Sequence, residues 1–324
     1  MVNVALVGLG KMGILHGAIM GALPGARVVA ACERNRVVRH FAKSALPNVK
    51  LVGEVRELAG LAIDAVYVAT LPGSHHPVVR DIYEHGVAKH VFVEKSLAAS
   101  HAQALEMCRL ADSHGGVTAV GFQKRFGGTF AKAKEILEAS GLGSVTGFEA
   151  YSYSSDFADA GHQDATAASR GGGLRDQGSH VIDLAMWFFG DLEVISPGAS
   201  PAGVPPDLSL GRVRAEDGVV GTFSVSARMP QYRLPEIGMR ITGSKASIDV
   251  TDDRIVLNGH VSPRRWHRQD LDDSSVPFLL GDPEYTREGV AFLEAVRNGR
   301  AFAGADFHAG ARVERVIDGI LAAA

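Results

Sequence analysis

The chain has 324 residues, 46% of them hydrophobic, and its 33 lysines and arginines nearly balance 36 aspartates and glutamates, leaving a formal net charge of −3. A chain of this length predicts about two domains, each able to bury a core. A charge so close to zero gives no electrostatic footprint for nucleic acid or for an anionic membrane surface, so we expect neither as a partner.

The cysteines and the hydropathy pattern indicate the compartment. Cys32 and Cys108 lie far apart in apolar surroundings, which favours buried thiols in a reducing compartment over a disulfide framework. No apolar run approaches the ~18 residues of a membrane span, and residues 1–10 lack the basic start of a signal peptide. We therefore expect a cytoplasmic protein.

The first part of the chain alternates short apolar runs with helical stretches. The run at residues 2–7 ends at Gly8, the pattern of a strand buried on both faces, and a helix follows it. The apolar stripe of this helix is predicted at Ile14, Leu15, Ala18 and Ile19. Further strands are predicted at residues 27–32, 49–52, 63–69, 90–93 and 117–121. This repeated βαβ order predicts an α/β domain over residues 1–122, a Rossmann-type doubly wound parallel sheet.

The pattern changes beyond residue 122. Alternating segments at short intervals predict an open, largely antiparallel sheet, and helices include two terminal ones at 283–298 and 306–321. Residues 123–324 therefore predict an α+β domain for substrate binding and oligomerisation. Its strands between residues 212 and 257 should expose one apolar face, and large uncovered apolar faces are uncommon on monomers. We expect a homodimer or homotetramer built through that sheet.

A glycine motif marks the turn between the first strand and the first helix. Gly8, Gly10 and Gly13 form G-x-G-x-x-G, with Lys11 and Met12 between the last two glycines. The first glycine makes the tight turn, the second lets the backbone approach a pyrophosphate, and the third lets helix and strand pack closely. The helix start then offers free N–H groups to phosphates. The motif predicts a dinucleotide site.

The residues at the end of the second strand bear on which dinucleotide is bound. Glu33 stands 20 residues after Gly13, where a carboxylate binds the ribose hydroxyls and repels the 2′-phosphate of NADP. The neighbouring Arg34 either stacks on adenine or accepts that phosphate. We expect NAD, with NADP as the alternative.

Five segments of the chain resemble the glucose-fructose oxidoreductase, inositol dehydrogenase and MocA family, written Gfo/Idh/MocA. These segments are the glycine motif, Ala69-Thr70-Leu71-Pro72-Gly73-Ser74-His75, Val93-Glu94-Lys95-Ser96, residues 171–183 and residues 313–322. The resemblance implies that Lys95, with Glu94 before it, lies beside nicotinamide and substrate. It also implies that Asp176 and His180 form an acid/base pair on the opposite wall. Ser96 stands where the family has proline, which leaves the orientation of Lys95 open.

The Asp176–His180 spacing is informative without the family. Two residues four apart on a helix share a face, and Asp183 is close enough in sequence to orient the imidazole. Histidine titrates near neutrality, which suits removal of a hydroxyl proton while hydride leaves the same carbon, and a lysine stabilises the alkoxide or acts as the base. The alternative is that Asp176 only caps a helix and that His180 is a half-buried core histidine.

Other polar residues are weaker candidates. Cofactor contacts are predicted for Thr70, His75 and Gln123, although Thr70 also suits a strand end and His75 a helix cap. Substrate contacts are predicted for Lys95, Asp176, His180, Arg125, Tyr153 and Arg170. The alternatives are an ion-pair role for Arg125 and solvated loop positions for Tyr153, His162 and Arg170. No metal-ligand spacing occurs among the 13 histidines, so we expect no metal.

These observations predict an NAD(P)-dependent dehydrogenase that moves a hydride between nicotinamide and a secondary alcohol of a sugar, a sugar derivative or a cyclitol. A nucleotide-sugar substrate is suggested more weakly, by residues 232–236 and 170–172. Two alternatives remain. One is an enzyme that uses bound NAD for glycoside cleavage with no net redox change, and the other is a non-catalytic NAD(P)-sensing regulator on the same fold.

Overall fold

The protein is described by a computed structural model over residues 1–158, 169–197, 208–259, 262–271 and 281–323. The chain forms two compact units. The first comprises residues 1–123 and 276–311, and the second comprises residues 124–275 and 312–324. Each unit therefore contains two separate stretches of sequence.

The first unit contains a six-stranded sheet with the strand order β3-β2-β1-β4-β5-β6 and parallel pairing throughout. Its strands are β1 (Val2–Val7), β2 (Ala26–Cys32), β3 (Lys50–Val52), β4 (Ala65–Val68), β5 (His90–Val93) and β6 (Thr118–Val120). The helices between them are α1 (Lys11–Ala22), α2 (Arg36–Ala45), α3 (Pro72–Glu84) and α4 (His101–His114). The predicted doubly wound parallel sheet is confirmed.

The buried face of α1 differs from the predicted stripe. Ile14 is 62% exposed and Ala18 is exposed, whereas Gly13, His16 and Ile19 are buried. The contact between Gly13 and the β1 turn sets the rotation of the helix, because a side chain at Gly13 would collide with the Gly8 carbonyl oxygen. Packing on the strand therefore overrides the hydropathy pattern.

A helix from late in the chain, α8 (Pro283–Asn298), belongs to the first unit. It packs on α1, where Gly289 lies so close to Met20 that an added Cβ would be 2.7 Å from the Met20 Cε. Phe292 and Leu293 join the core of this unit with β1 and β4 side chains. The prediction that this helix completes the second domain is wrong, because its apolar face is buried against the parallel sheet.

The second unit contains an eight-stranded sheet with the order β14-β13-β12-β11-β7-β10-β9-β8. The strands are β7 (Val145–Tyr153), β8 (Leu192–Pro197), β9 (Ser209–Ala215), β10 (Val220–Ser226), β11 (Glu236–Gly243), β12 (Ser247–Thr251), β13 (Arg254–Asn258) and β14 (Arg264–His267). The helices are α5 (Gly128–Glu138), α6 (Ser179–Phe189), the short α7 (Arg268–Leu271) and the end of α9 (Phe307–Ala323). Among the strands that the structure describes here, only β7 and β10 pair in parallel, which confirms the largely antiparallel sheet.

The two faces of this sheet differ in polarity. One face buries Phe148, Met239 and similar side chains beneath α5 and α6. The opposite face carries exposed polar residues, including the cross-strand pair Glu149 and Arg240. Among the described residues, Ile195, 38% exposed, is the one large hydrophobic side chain exposed on these strands. The expected uncovered apolar face is therefore wrong, and a homo-oligomer stays a prediction.

Two further findings bear on the sequence predictions. Cys32 and Cys108 are both buried thiols, and burial raises the pKa of the Cys32 thiol to about 11. In the part of the chain that the structure describes, no helix combines the length and apolarity that crossing a bilayer requires.

Candidate active site

The glycine motif forms a turn with space beside it. Gly8 follows β1 with φ +91°, a left-handed conformation that favours glycine. A Cβ at Gly13 would lie 1.9 Å from the Gly8 carbonyl oxygen, so this position also needs glycine. A Cβ at Gly10 would have no neighbour within 4 Å, and Gly10 is the N-cap of α1 without a side-chain cap. Lys11 is exposed and Met12 half-buried in the first turn. The turn fits a dinucleotide pyrophosphate, since its open side lies at a helix N-terminus.

Glu33 lies directly after β2 and next to this turn. Its Oε2 accepts the Leu9 N–H at 2.9 Å, and its Oε1 accepts the Asn35 N–H at 2.8 Å. The carboxylate is therefore held at the glycine turn, half-buried, while Arg34 beside it is exposed. A carboxylate in this position suits ribose hydroxyl recognition.

Lys95 and Thr70 lie at the same edge of the sheet as the glycine turn. Thr70 follows β4 and Lys95 follows β5, and both strands run parallel to β1. Thr70 Oγ1 accepts a hydrogen bond from the Ser74 hydroxyl at 2.9 Å. The carboxyl ends of β1, β4 and β5 thus bring a glycine turn, a hydroxyl and an amine to the edge where such sheets bind ligands. The peptide bond between Lys95 and Ser96 is cis.

His75 connects the loops after β4 and β5. Its ring is fully buried, with Nδ1 2.8 Å from the Ser96 carbonyl oxygen and Nε2 3.0 Å from the Thr70 carbonyl oxygen. Burial lowers the pKa of His75, and the two carbonyl groups oppose that shift. The prediction that His75 contacts the cofactor is wrong, because the ring is enclosed and both nitrogens face the backbone.

Glu94 lies between His16 and the backbone of Lys95. It is 5% exposed, with its Oε1 2.6 Å from His16 Nε2 and its Oε2 accepting the Lys95 N–H at 3.1 Å. A Cβ at Gly121 would lie 3.1 Å from the same carboxylate. The structure thus assigns the Glu94 carboxylate contacts with His16 and the Lys95 backbone, and its predicted cofactor contact stays a prediction.

Gln123 is also occupied within the first unit. Its side-chain amide donates to the Tyr285 hydroxyl at 3.0 Å, and Gln123 is 4% exposed. Burial raises the pKa of Tyr285, which keeps its hydroxyl protonated. The structure thus assigns Gln123 a contact with α8, and its predicted cofactor contact stays a prediction.

Asp176 and His180 lie in consecutive turns of different kinds in the second unit. Asp176 lies in a π-helical turn, Leu174–Gly178, and His180 in the first turn of α6. They are 6% and 5% exposed. The four-residue spacing therefore does not follow one regular α-helix, and π turns occur often at functional sites.

Arg170 and Arg175 hold this segment. Arg170 Nη2 is 2.6 Å from Asp176 Oδ2 and 3.6 Å from Asp156 Oδ2, and its guanidinium lies over the Phe157 ring. Arg170 thus contacts the predicted acid directly. Arg175 Nε is 3.1 Å from Glu314 Oε2 and its Nη2 is 2.6 Å from Asp318 Oδ1, which ties the π turn to α9.

Arg125 and Asp183 bind each other, in line with the ion-pair role that the sequence offered as the alternative for Arg125. The Arg125 guanidinium binds Asp183 through two hydrogen bonds of 2.8 and 2.7 Å, and Asp183 is fully buried. Burial raises the pKa of Asp183, and the charge of Arg125 opposes that shift. Asp183 therefore binds Arg125 rather than orienting His180 as predicted, and the predicted substrate contact of Arg125 stays a prediction.

Tyr153 is also engaged in the second unit. Its hydroxyl is 2.8 Å from the Ser224 hydroxyl, and its ring packs against Tyr151 and Tyr232 on the polar face of the sheet. The predicted substrate contact gains no support from this position. His162 lies outside the described residues. Among those residues, no group of three or more histidine, cysteine or carboxylate side chains has an arrangement suited to a metal ion.

The sequence predictions missed His16. The signal was available, because His16 lies three residues after Gly13 and so shares the helix face that the glycine packs on the strand. Tyr285 was missed for another reason: nothing in the sequence indicates that α8 returns to the first unit.

Two family models match most of the chain. One, described as an oxidoreductase family with an NAD-binding Rossmann fold, matches residues 2–122. The other, the GFO/IDH/MocA C-terminal domain, matches residues 130–249. The fold and the glycine turn thus define an NAD-binding oxidoreductase class of protein. The chain belongs to the Gfo/Idh/MocA family.

Individual relatives are more distant. An uncharacterized oxidoreductase of Schizosaccharomyces pombe is 33% identical over 193 residues, which are 58% of this chain and 52% of that protein. The scyllo-inositol 2-dehydrogenase (NADP(+)) of Bacillus subtilis is 26% identical over 58% of this chain and 52% of its own length. The chain thus spans about half the length of these two relatives.

Solved structures resemble the whole fold. Levoglucosan dehydrogenase in complex with NADH and levoglucosan superposes with a TM-score of 0.86 and 21% identity, over 99% of this chain and 96% of that one. At this identity the likeness shows the shared fold.

Proposed function

We propose that the protein is an NAD-dependent dehydrogenase that oxidises a secondary alcohol of a neutral sugar or cyclitol, or reduces the corresponding ketone. The observation that carries the proposal is the sheet edge of the first unit. There the glycine turn follows β1, β4 pairs with β1, and Lys95 follows β5, which pairs with the other side of β4. A regulator that only senses NAD needs the turn but not the amine.

The residues that would hold NAD are on this edge and at the end of β2. The backbone of the glycine turn and the start of α1 would bind the pyrophosphate, and Glu33 would accept hydrogen bonds from the adenosine ribose. A bound nicotinamide supplies the hydride acceptor or donor. All proton chemistry then falls to side chains of this chain.

Proton transfer is proposed for Lys95, His180 and Asp176. His180 takes the hydroxyl proton as a general base, and the Lys95 ammonium stabilises the developing alkoxide. Asp176, which Arg170 contacts at 2.6 Å, positions His180. These roles rest on residue chemistry and on the family resemblance.

The charges around Asp176 support a neutral substrate. Arg170 lies between two carboxylates, at 2.6 Å from Asp176 and 3.6 Å from Asp156. Arg125 is neutralised by Asp183. Neither guanidinium is thus an uncompensated cation for a sugar acid or a sugar phosphate. The names of two proteins to which the chain is similar, the inositol dehydrogenase and the levoglucosan dehydrogenase, point to the same substrate class.

A substrate screen tests the proposal. The purified protein is incubated with NAD and panels of neutral sugars, cyclitols, sugar acids, sugar phosphates and nucleotide sugars, and NADH is followed by its near-ultraviolet absorbance. We expect steady NADH formation with neutral polyols, lowered by about 10²-fold or more in Lys95→Ala. Turnover confined to anionic sugars contradicts the neutral-substrate proposal, and glycoside cleavage without net NADH contradicts the dehydrogenase.

A further inference from the structure

A buried hydrogen-bonded pair lies directly behind Lys95. His16, on α1, is 1% exposed, and Glu94, at the end of β5, is 5% exposed. The His16 Nε2 is 2.6 Å from Glu94 Oε1, and the Lys95 N–H donates to Glu94 Oε2 at 3.1 Å. One carboxylate therefore joins the histidine to the backbone of the lysine.

The surroundings leave this carboxylate little freedom. The His16 ring packs among Tyr67, Phe92 and Tyr285, with ring centroids 5.5, 5.1 and 6.1 Å away. Gly121 closes the other side, since an added Cβ would lie 3.1 Å from the Glu94 carboxyl carbon. A buried carboxylate that loses one hydrogen-bond donor is strongly destabilised and must move or take up a proton. Either change alters the bond to the Lys95 N–H.

We propose that His16 is a positioning residue for Lys95, acting through the Glu94 carboxylate that it holds in place. The proposal rests on the proposed function, because it assumes that the placement of Lys95 limits turnover. His16 sets where the Lys95 backbone lies, and hence where its amine extends, without touching substrate. Misplacement of a reacting group by about 1 Å can cost about 10²-fold in rate.

The kinetic experiment compares three histidine variants. His16→Leu removes the donor, and His16→Gln restores a donor amide near the Nε2 position. His90→Leu is the matched control: His90 is a buried histidine at the opposite end of β5 that accepts the Val117 N–H at 2.9 Å. We expect His16→Leu to lower kcat by about 10- to 10²-fold, with the KM for NAD unchanged and most of the loss recovered in His16→Gln. His90→Leu should lower the melting temperature but not kcat.

A second readout does not depend on activity. Hydrogen exchange of the Lys95 amide, followed by mass spectrometry in the cofactor-free protein, should accelerate in His16→Leu and return towards normal in His16→Gln. If no substrate is ever found while this exchange pattern holds, the proposed function fails and the positioning contact stands. If exchange at Lys95 is equal in all variants, the positioning role is wrong.

Gly121→Ala keeps the test decisive if His16→Leu does not fold. Its Cβ would lie 3.1–3.2 Å from the Glu94 carboxyl atoms, so the carboxylate must shift by a few tenths of an ångström while His16 is intact. We expect a smaller fall in kcat and a smaller rise in Lys95 exchange than in His16→Leu. The proposal is overturned by wild-type kcat and exchange in Gly121→Ala, or by equal kcat losses in His16→Leu and His90→Leu.

Discussion

The supports of the two predicted catalytic segments are built differently. The Lys95 N–H in the first unit donates to the Glu94 carboxylate, which is also hydrogen-bonded to His16. Asp176 in the second unit is held by the guanidinium of Arg170, and the next residue along, Arg175, is anchored on Glu314 and Asp318. The first support uses hydrogen bonds on a parallel sheet edge, where strand ends already fix the backbone. The second uses paired charges, because a π turn between glycines has less regular structure to hold it.

The largest expected effect concerns the proposed proton transfer by Lys95 and His180. Replacing Lys95 or His180 by Ala should lower kcat by about 10² to 10⁴-fold, the range for general acid/base groups. Affinity for NAD, measured by calorimetric titration, should barely change, because the glycine turn and Glu33 are untouched. If turnover stays within a few fold of wild type while the melting temperature falls, both residues are structural.

Removing Arg175 tests how much its ion pairs contribute to the free energy of unfolding. Arg175→Met leaves the carboxylates of Glu314, 1% exposed, and Asp318 without the guanidinium that they share, and breaking a buried ion pair costs about 3–5 kcal/mol. The matched control is Arg214→Met, whose pair with Glu193 is 51% and 73% exposed and contributes about 0–1 kcal/mol. Urea denaturation measures the free energy of unfolding of both variants. Equal losses would show that the anchor of the π turn is no stronger than a surface ion pair.

Substitutions at two glycines separate effects on stability from effects on cofactor binding in the first unit. Gly13→Ala places a Cβ 1.9 Å from a carbonyl oxygen, and overpacking of this kind costs about 1–3 kcal/mol. Gly10→Ala meets no protein atom within 4 Å, so stability should stay unchanged while NAD affinity falls. Melting curves with and without NAD measure both effects. Wild-type NAD affinity in Gly10→Ala would show that the pyrophosphate does not bind at this turn.

Glu33 should control the choice of cofactor. NAD is expected to bind more tightly than NADP, and Glu33→Ala should narrow the difference by about tenfold, or ~1.4 kcal/mol. Glu33→Gln, which keeps the shape and loses the charge, is the companion variant. Calorimetric titration with both cofactors decides the matter. A preference for NADP in the unmodified protein would show that Arg34, rather than Glu33, determines which cofactor binds.

The smallest effect is a pH dependence of stability. Burial lowers the pKa of His75 and His90 below the ordinary value. Below about pH 6.5 the unfolded chain therefore binds more protons than the folded chain, so the free energy of unfolding falls as the pH falls through this window. Above this window the two histidines bind no proton in either state, so their contribution to the free energy of unfolding no longer changes with pH. His90→Gln should flatten the dependence of the urea midpoint on pH, and an unchanged slope would exclude His90 as a source.

The regular parts of both units could be predicted from the sequence. The strands β1, β2 and β5 are short apolar runs that end at turn residues, and the glycine motif carries its own geometric requirement. Long-range pairs could not be predicted: Arg125 and Asp183 are 58 residues apart, and local patterns do not select such partners. The Asp176–His180 spacing was interpreted as α-helical, and a sequence gives no sign that a turn will widen to π. The rotation of α1 was missed because a close backbone contact at Gly13, rather than hydropathy, determines it.

The return of α8 to the first unit has a consequence for synthesis of the chain. About 160 residues separate the end of the first stretch of this unit from Pro283, and at about 5–20 residues per second the ribosome needs roughly 10–30 s to make them. During this interval the surface of α1 around Ile19 and Met20 stays uncovered, because Phe292 and Leu293 have not yet been synthesised. We therefore expect a nascent chain that ends near residue 275 to expose an apolar groove to chaperones, detectable as protease sensitivity that disappears once α8 has emerged. The dinucleotide-binding half, although first in sequence, should complete its folding late.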